Sequence, residues 1–218
     1  MKNVTRITVG LICTFILGTN ALAFKTFSQY GGAVHESITR TALGSLGVSQ
    51  QSMTTIDGGS TPQDIPGRSA FTDESHHCDN CAIKAGRNYV ESCYTQIAAH
   101  LCKAKDDPAE LKYVLDKFGE LIHTTQDFYA HSNYVELALK QQPSLAPSAM
   151  SPVDWNSLSS PSSALKTGYF YYVDPKDCED FMLNSYYIPV TPARDEVIAK
   201  LEASKLLTPG TSYMPDSS

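Results

Sequence analysis

His123, Asp127 and His131 stand four residues apart in the run His123-Thr-Thr-Gln-Asp127-Phe-Tyr-Ala-His131-Ser-Asn133-Tyr-Val-Glu136. A step of four along an α-helix turns the chain by about 40°, so the three side chains fall within about 80° of one face. Two imidazoles and a carboxylate are ordinary zinc ligands, and beside an apolar stripe they are costly to bury unless hydrogen-bonded or metal-bound. Along the axis the two histidines lie about 12 Å apart, whereas zinc–nitrogen bonds are about 2.1 Å, which argues against one ion held by both. The spacing predicts two ions with Asp127 between them. Two neighbouring zinc ions suit phosphate-ester hydrolysis: they bind phosphoryl oxygens, bring the pKa of water down to about 7 and stabilise the leaving oxygen. A buried polar network of the same groups is the alternative that needs no metal.

The elements that must position this trio are legible in part. Asp107-Pro108 opens a helix whose stripe runs Leu111, Val114, Leu115, Phe118 and Ile122 into the His/Asp run. Ile83 to Lys103 carries Tyr89, Val90, Cys93, Ile97 and Leu101 on one side and reads as a second helix. His35 to Leu46 places Ile38, Ala42, Leu43 and Leu46 at helical spacing and ends at Gly47. Residues 51–80, rich in Gly, Pro, Ser, Thr and Asp, read as a long irregular loop, a kind of segment that commonly carries function. Residues 141–163 form a Pro/Ser-rich linker, and Tyr169–Val173 is either a strand or a packed aromatic loop. Thr191-Pro192, followed by Asp195 and Glu196, starts a C-terminal helix with Val197, Ile198, Leu201 and Leu206 on its apolar face. The chain then closes on a turn-like Tyr-Met-Pro-Asp-Ser-Ser, which reads as an interrupted ending.

Of the 218 residues, 42% are hydrophobic and 18% charged, which excludes a disordered chain and a membrane bundle. Residues 1–23 combine Lys2 and Arg6, an apolar run from Ile7 to Leu17 and an Ala21-Leu22-Ala23 cleavage site, the pattern of a signal peptide. The run is too short for a transmembrane anchor, which needs about 20 residues, so a secreted or periplasmic protein beginning at Phe24 is expected. Its formal charge of −6 becomes −8 once Lys2 and Arg6 are removed, which disfavours docking onto nucleic acid or anionic lipid. In an oxidising compartment disulfides are expected among Cys78, Cys81, Cys93, Cys102 and Cys178. Cys93 and Cys102 are about 13 Å apart on one helix, beyond disulfide reach, so each is expected to pair with Cys78 or Cys81, leaving Cys178 over. Cys78-Asp-Asn-Cys81 also has the form of half a zinc knuckle, but the sequence holds no second Cys-x-x-Cys. His100, seven positions from Cys93, reads as a packed or surface histidine, and Trp155 as packing. No Gly-x-Ser-x-Gly motif supports a serine nucleophile.

The stretch 118–137 resembles the signature of Het-C-type proteins, secreted relatives of the zinc-dependent phospholipase C and single-strand nuclease superfamily. His35, ahead of Ile38 and Thr39, is similar to the N-terminal ligand histidine of the phospholipases, and Asp64 with His76 or His77 resembles their loop ligands. The resemblance covers roughly residues 24–140 and implies an all-α fold, with residues 24–140 as a zinc-binding helical domain and 141–218 as linker plus helix. It implies two to three zinc ions held by Phe24 through its amine, His35, Asp64, His76 or His77, His123, Asp127 and His131, with Glu136 standing in for a later glutamate. Asp64 and Asp127 would serve catalysis as well as binding. The implied activity is hydrolysis of a phosphodiester, with lipid headgroups favoured over nucleic acid by the acidic charge. No histidine follows His131, so the family's later His-x3-Glu pair is absent. The alternative is a metal-stabilised secreted interaction protein or effector with an incomplete, non-catalytic site.

Overall fold

The computed structural model describes residues 34–65, 68–144, 146, 149–172 and 185–188. The expected signal peptide, Phe24, Cys178 and the helix after Thr191 lie outside them. The described elements are α1 (Val34–Gly44), α2 (Gln50–Ser60), a 3-10 turn (Thr61–Asp64), α3 (Ser69–Thr72), α4 (Glu74–His77), α5 (Ile83–Ala104), α6 (Pro108–His131) and α7 (Tyr134–Gln141). A 3-10 turn (Ser157–Ser159) and the strands β1 (Tyr169–Tyr172) and β2 (Ser185–Ile188) follow. The fold is predominantly helical, as expected, and Tyr169–Tyr172 is a strand, paired antiparallel with Ser185–Ile188 in the register Tyr169–Ile188.

Helix α6 is the axis of the fold. Asp107 caps it by accepting from the Ala109 N–H, and Pro108 occupies a first-turn position that needs no donor. The short connection folds α6 back along α5, the most extensive contact among the elements, and α2 lies across its other side. That second contact corrects the expectation of an irregular 51–80. Ser49 caps a helix through the Ser52 N–H, and Met53, Ile56, Asp57, Gly59 and Ser60 are buried against the body of the fold. Gly58-Gly59 weakens intrinsic helicity by about 1 kcal/mol per glycine, but tertiary contact overrides propensity. At the crossing a Cβ on Gly59 would lie 2.0 Å from the Asp116 carbonyl oxygen, and one on Gly119 2.0 Å from that of Ile56. The two backbones approach as closely as they do because neither residue has a side chain.

Helix α1 ends at Gly44, short of Leu46, and sits the other way round from its apolar pattern: Ile38 is 41% exposed, and Leu46 in the turn beyond 73%, while His35 and Thr39 are buried. The reason is polar. Gln126 of α6 accepts from His35 Nδ1 at 2.6 Å and donates to Thr39 Oγ1 at 3.0 Å, so the i, i+4 pair His35/Thr39 faces the body of the fold. The hydrophobic core lies at the C-terminal half of α6, where Phe128 packs with Cys78, Ile83, Val153 and Leu158, and Tyr129, Tyr134, Trp155 and Leu165 close around them. Trp155 is thus a packing residue, 5.4 Å from Phe128 between ring centroids. His100 is likewise packed, on Tyr113 and Glu110.

No disulfide joins any two of the described cysteines, against expectation. The Cys78 thiol seats on the missing side chain of Gly86, where a Cβ would lie 2.3 Å from its sulfur. Cys93 follows seven residues later, about 10.5 Å further along α5. Among the described residues no helix is long and apolar enough to cross a membrane.

Candidate metal centre

Four chain segments converge on one turn of α6. The glycine crossing sets Ser60 beside His123, one turn past Gly119, with Ser60 Oγ 3.4 Å from His123 Nδ1. The 3-10 turn that begins at Thr61 then delivers Asp64 to the same place. Helix α1 contributes His35, anchored through Gln126, the neighbour of Asp127. The end of α4 contributes His77, whose Nε2 lies 3.1 Å from the Ala70 carbonyl.

The donor atoms of His35, Asp64, His123 and Asp127 all lie within 4.8 Å of one another. His35 Nε2 is 3.3 Å from Asp127 Oδ1 and 3.6 Å from Asp64 Oδ2. His123 Nε2 is 3.0 Å from Asp127 Oδ2 and 3.5 Å from Asp64 Oδ1. Atoms about 2.0–2.1 Å from a tetrahedral zinc stand about 3.4 Å from one another, so these separations suit edges around a cation. His77 Nδ1 joins the second set, 2.8 Å from Asp127 Oδ2 and 3.2 Å from His123 Nε2. His131 Nε2 faces Asp127 Oδ1 at 3.7 Å. Each carboxylate thus turns one oxygen towards His77 and His123 and the other towards His35, with His131 on the Asp127 side of that second group.

The outer nitrogens already have work. A carbonyl oxygen can only accept, so the neutral His77 ring carries its proton on Nε2, facing Ala70, and turns the Nδ1 lone pair inward. His35 donates from Nδ1 to Gln126 Oε1 and turns Nε2 inward. This is how ligand histidines are held, with the far N–H fixed and the near lone pair aimed. Lone pairs facing carboxylate oxygens repel unless a proton or a cation stands between them. Asp127 is 1% exposed, and its Oδ1 accepts no hydrogen bond. The residues fit a metal ion.

Without an ion, protons fill the same role. Burial alone would pull the His77 pKa down, but the hydrogen bond to Asp127 and the charges of Asp127, Asp64 and Asp79 outweigh it and push it up to about 9. His131 behaves alike: burial lowers it, while Asp79 and Asp127 carry it to about 10. For His123 burial wins and the pKa falls. Burial favours protonation of Asp127, yet the neighbouring His123 and His131 hold its carboxyl well below the ordinary range.

Of the residues singled out in the sequence, His35, Asp64, His77, His123, Asp127 and His131 come together. His76 does not: its ring stacks on Tyr89 at 3.9 Å and its Nδ1 meets Gln63, because adjacent residues on a short helix point about 100° apart. Glu136 is also outside. Helix α6 stops at His131, Ser132 is extended, and Glu136 lies in the first turn of the separate helix α7 with its side chain in solvent. Phe24 lies outside the described residues. Sequence reasoning missed the supporting residues Ser60 and Gln126, and saw Asp79 only as part of the His77-Cys78-Asp79-Asn80 stretch, without a role for its carboxylate two positions from His77.

Residues 36–154, more than half of the chain, match the family model described as the VWA7 N-terminal domain. The chain belongs to that family. No curated protein and no solved structure matches it. Membership of the VWA7 N-terminal domain family overturns the Het-C and phospholipase/nuclease resemblance drawn from residues 118–137. Donors at i, i+4 and i+8 are what any helix must carry to present several ligands on one face, so a short run of that kind records a chemical constraint rather than descent. In this VWA7 N-terminal domain the matched span includes every member of the cluster except His35, which directly precedes it.

Proposed function

We propose that this domain is a zinc-dependent phosphodiester hydrolase whose centre would hold two ions among His77, His123, His35 and His131, with the carboxylates of Asp127 and Asp64 serving both. The observation that supports it is the pairing of two carboxylates, each with one oxygen towards His77/His123 and the other towards His35, around a buried Asp127 Oδ1 that accepts no hydrogen bond. Zinc held there would supply Lewis acidity towards a phosphoryl oxygen and generate a nucleophile from water near neutral pH. The protein's part is to aim the donors: Ala70 fixes the His77 ring, Gln126 that of His35, and Asp127 keeps the negative charge that offsets the cations. Asp64, with 18% of its side chain exposed, is the ligand through which the centre reaches solvent. The formal charge of −6 favours a lipid headgroup, zwitterionic or neutral, over nucleic acid as the ester.

A second reading is a structural ion in a secreted interaction protein. It is favoured by the depth of His123 and Asp127, at 0% and 1% exposure. Zinc content and turnover separate the two. The hydrolase reading expects about two zinc ions per chain, hydrolysis of a phosphocholine diester above that of single-stranded DNA, and loss of turnover in Asp127→Ala. Zinc binding with equal background hydrolysis in both proteins would leave the structural ion, and fewer than one zinc per chain would sink both.

A further inference from the structure

Helix α4 ends in an unusual turn. Cys78, Asn80 and Cys81 all have positive φ, at 56°, 54° and 62°, and none is glycine. Each L-residue in the left-handed region costs about 1–2 kcal/mol, less for Asn, so three among four consecutive residues must be imposed by the surroundings. The surroundings are visible. The Asn80 N–H donates to the Gly168 carbonyl at 2.8 Å, and the Cys81 N–H to Thr167 Oγ1 at 2.8 Å. The same strip is tied to the end of α6: the Gly168 N–H donates to the His131 carbonyl at 2.7 Å, and Ser132 bridges Thr167. Thr167 is fully buried. Residues 166–168, beyond the span that matches the family, therefore clamp the turn against the end of α6.

What the clamp presents is Asp79. It is 5% exposed, and its Oδ1 stands 2.9 Å from His131 Nδ1 as an ion-pair contact outside hydrogen-bond geometry. The Nδ1 atom also lies 3.2 Å from the His77 carbonyl oxygen. A carbonyl and a carboxylate both accept only, so His131 carries a proton on Nδ1 and turns the Nε2 lone pair towards Asp127 Oδ1. His77 thus acts twice, its ring on the Asp127 Oδ2 side and its carbonyl behind His131 on the Oδ1 side. Asp79 has no donor atom in the cluster itself.

We propose that Asp79, held by the left-handed turn and the Lys166–Gly168 clamp, is the positioning residue that makes His131 a ligand of the second ion. The proposal rests on the two-ion reading above and adds to it a division of labour: His77, His123, Asp64 and Asp127 Oδ2 serve the first ion, and Asp79 acts on the second alone. Removing such a partner of a ligand histidine costs about 10- to 100-fold in metal affinity.

The test is zinc titration of the full chain, read as ions per chain and as the cobalt absorption spectrum, for wild type, Asp79→Ala, Asp79→Asn, His131→Ala and the Asp79→Ala/His131→Ala pair. The wild type is expected to bind two ions. Asp79→Ala should lose or weaken the second by about 10- to 100-fold while keeping the first ion's cobalt spectrum. Asp79→Asn, which keeps the side-chain shape behind Nδ1 and removes the charge, should fall between Asp79→Ala and wild type. The double variant should be no worse than His131→Ala. Unchanged affinity for both ions in Asp79→Ala would overturn the positioning role and leave the two-ion centre standing. Equal loss of both ions in Asp79→Asn, with the native far-UV spectrum kept, would overturn it too. A wild type that binds no ion would remove the metal reading and this proposal with it.

Discussion

Asp127 is the residue on which the site's electrostatics turn. Its carboxylate is fully enclosed and touches four imidazoles, those of His35, His77, His123 and His131. Removing one partner of a buried charge pair costs about 3–5 kcal/mol, because the other charge is left without compensation. Asp127→Asn, which keeps the shape and removes the charge, should therefore destabilise the metal-free protein by about 3 kcal/mol in urea unfolding and lower the His77 pKa. Asp64→Asn should cost clearly less, since Asp64 is partly exposed and its contacts to His35, His77 and His123 are all longer than 3.4 Å. Equal losses in the two variants would mean that Asp127 is not the centre of the network. The importance of Asp127 is legible in the sequence because four-residue spacing on a helix is a strong geometric statement. The partners of Gln126 and Asp79 are not, because one side chain acts through a histidine 91 residues away and the other through one 52 residues away. Nor does the sequence decide between His76 and His77, whose neighbours come from different helices.

The glycine crossing of α2 and α6 fixes the site at the level of elements. Ser60 and Asp64 follow Gly59 directly, and His123 follows Gly119 by one turn, so the interhelical distance at the crossing sets the separation of Asp64 from His123. Gly119→Ala would drive a Cβ to 2.0 Å from the Ile56 carbonyl oxygen, which cannot yield as a flexible side chain would. The expected cost is about 3 kcal/mol of stability, from overpacking, together with weakened zinc binding as Asp64 is pushed out. Gly58→Ala is the matched control, since its Cβ would meet nothing within 4 Å. It should raise stability by about 1 kcal/mol through helix propensity and leave zinc binding unchanged. Thermal melts with zinc titration on both variants check the pair, and similar behaviour of the two would show that the crossing does not govern the site. The long helices α5 and α6 are legible because their apolar period persists over many turns. Helix α2 is hidden because its composition is that of a loop and its stability comes from a partner 60 residues away. Helix α1 is read as a helix but turned the wrong way, since a buried His/Thr pair bonded to Gln126 outweighs an apolar stripe that ends up facing solvent.

For the whole molecule, the pKa pattern predicts how stability depends on pH with and without metal. In the metal-free protein His77 and His131 bind protons more tightly than they would in the unfolded chain, at about 9 and about 10 against an ordinary 6.5. A raised histidine stabilises the fold fully below the unfolded value, and that contribution is lost as pH climbs towards the folded value. Asp127 has the opposite sense: its carboxyl is depressed, so its contribution is present above the ordinary carboxylate range and lost in acid. The metal-free protein should accordingly be most stable between about pH 5 and 6.5 and lose stability steadily up to about pH 10. The rising negative charge of an already acidic chain works in the same direction. Zinc reverses this, because it needs the histidines neutral and competes with their protons. Added zinc should raise the melting temperature little at pH 5.5 and much more at pH 8, moving the stability maximum to higher pH. Calorimetric melts across this range, with zinc and with chelator, check both curves. A metal-free melting temperature that is flat from pH 6 to pH 9.5 would show that protons do not stand between these histidines and carboxylates, and with that the charge balance argued for the centre would fail.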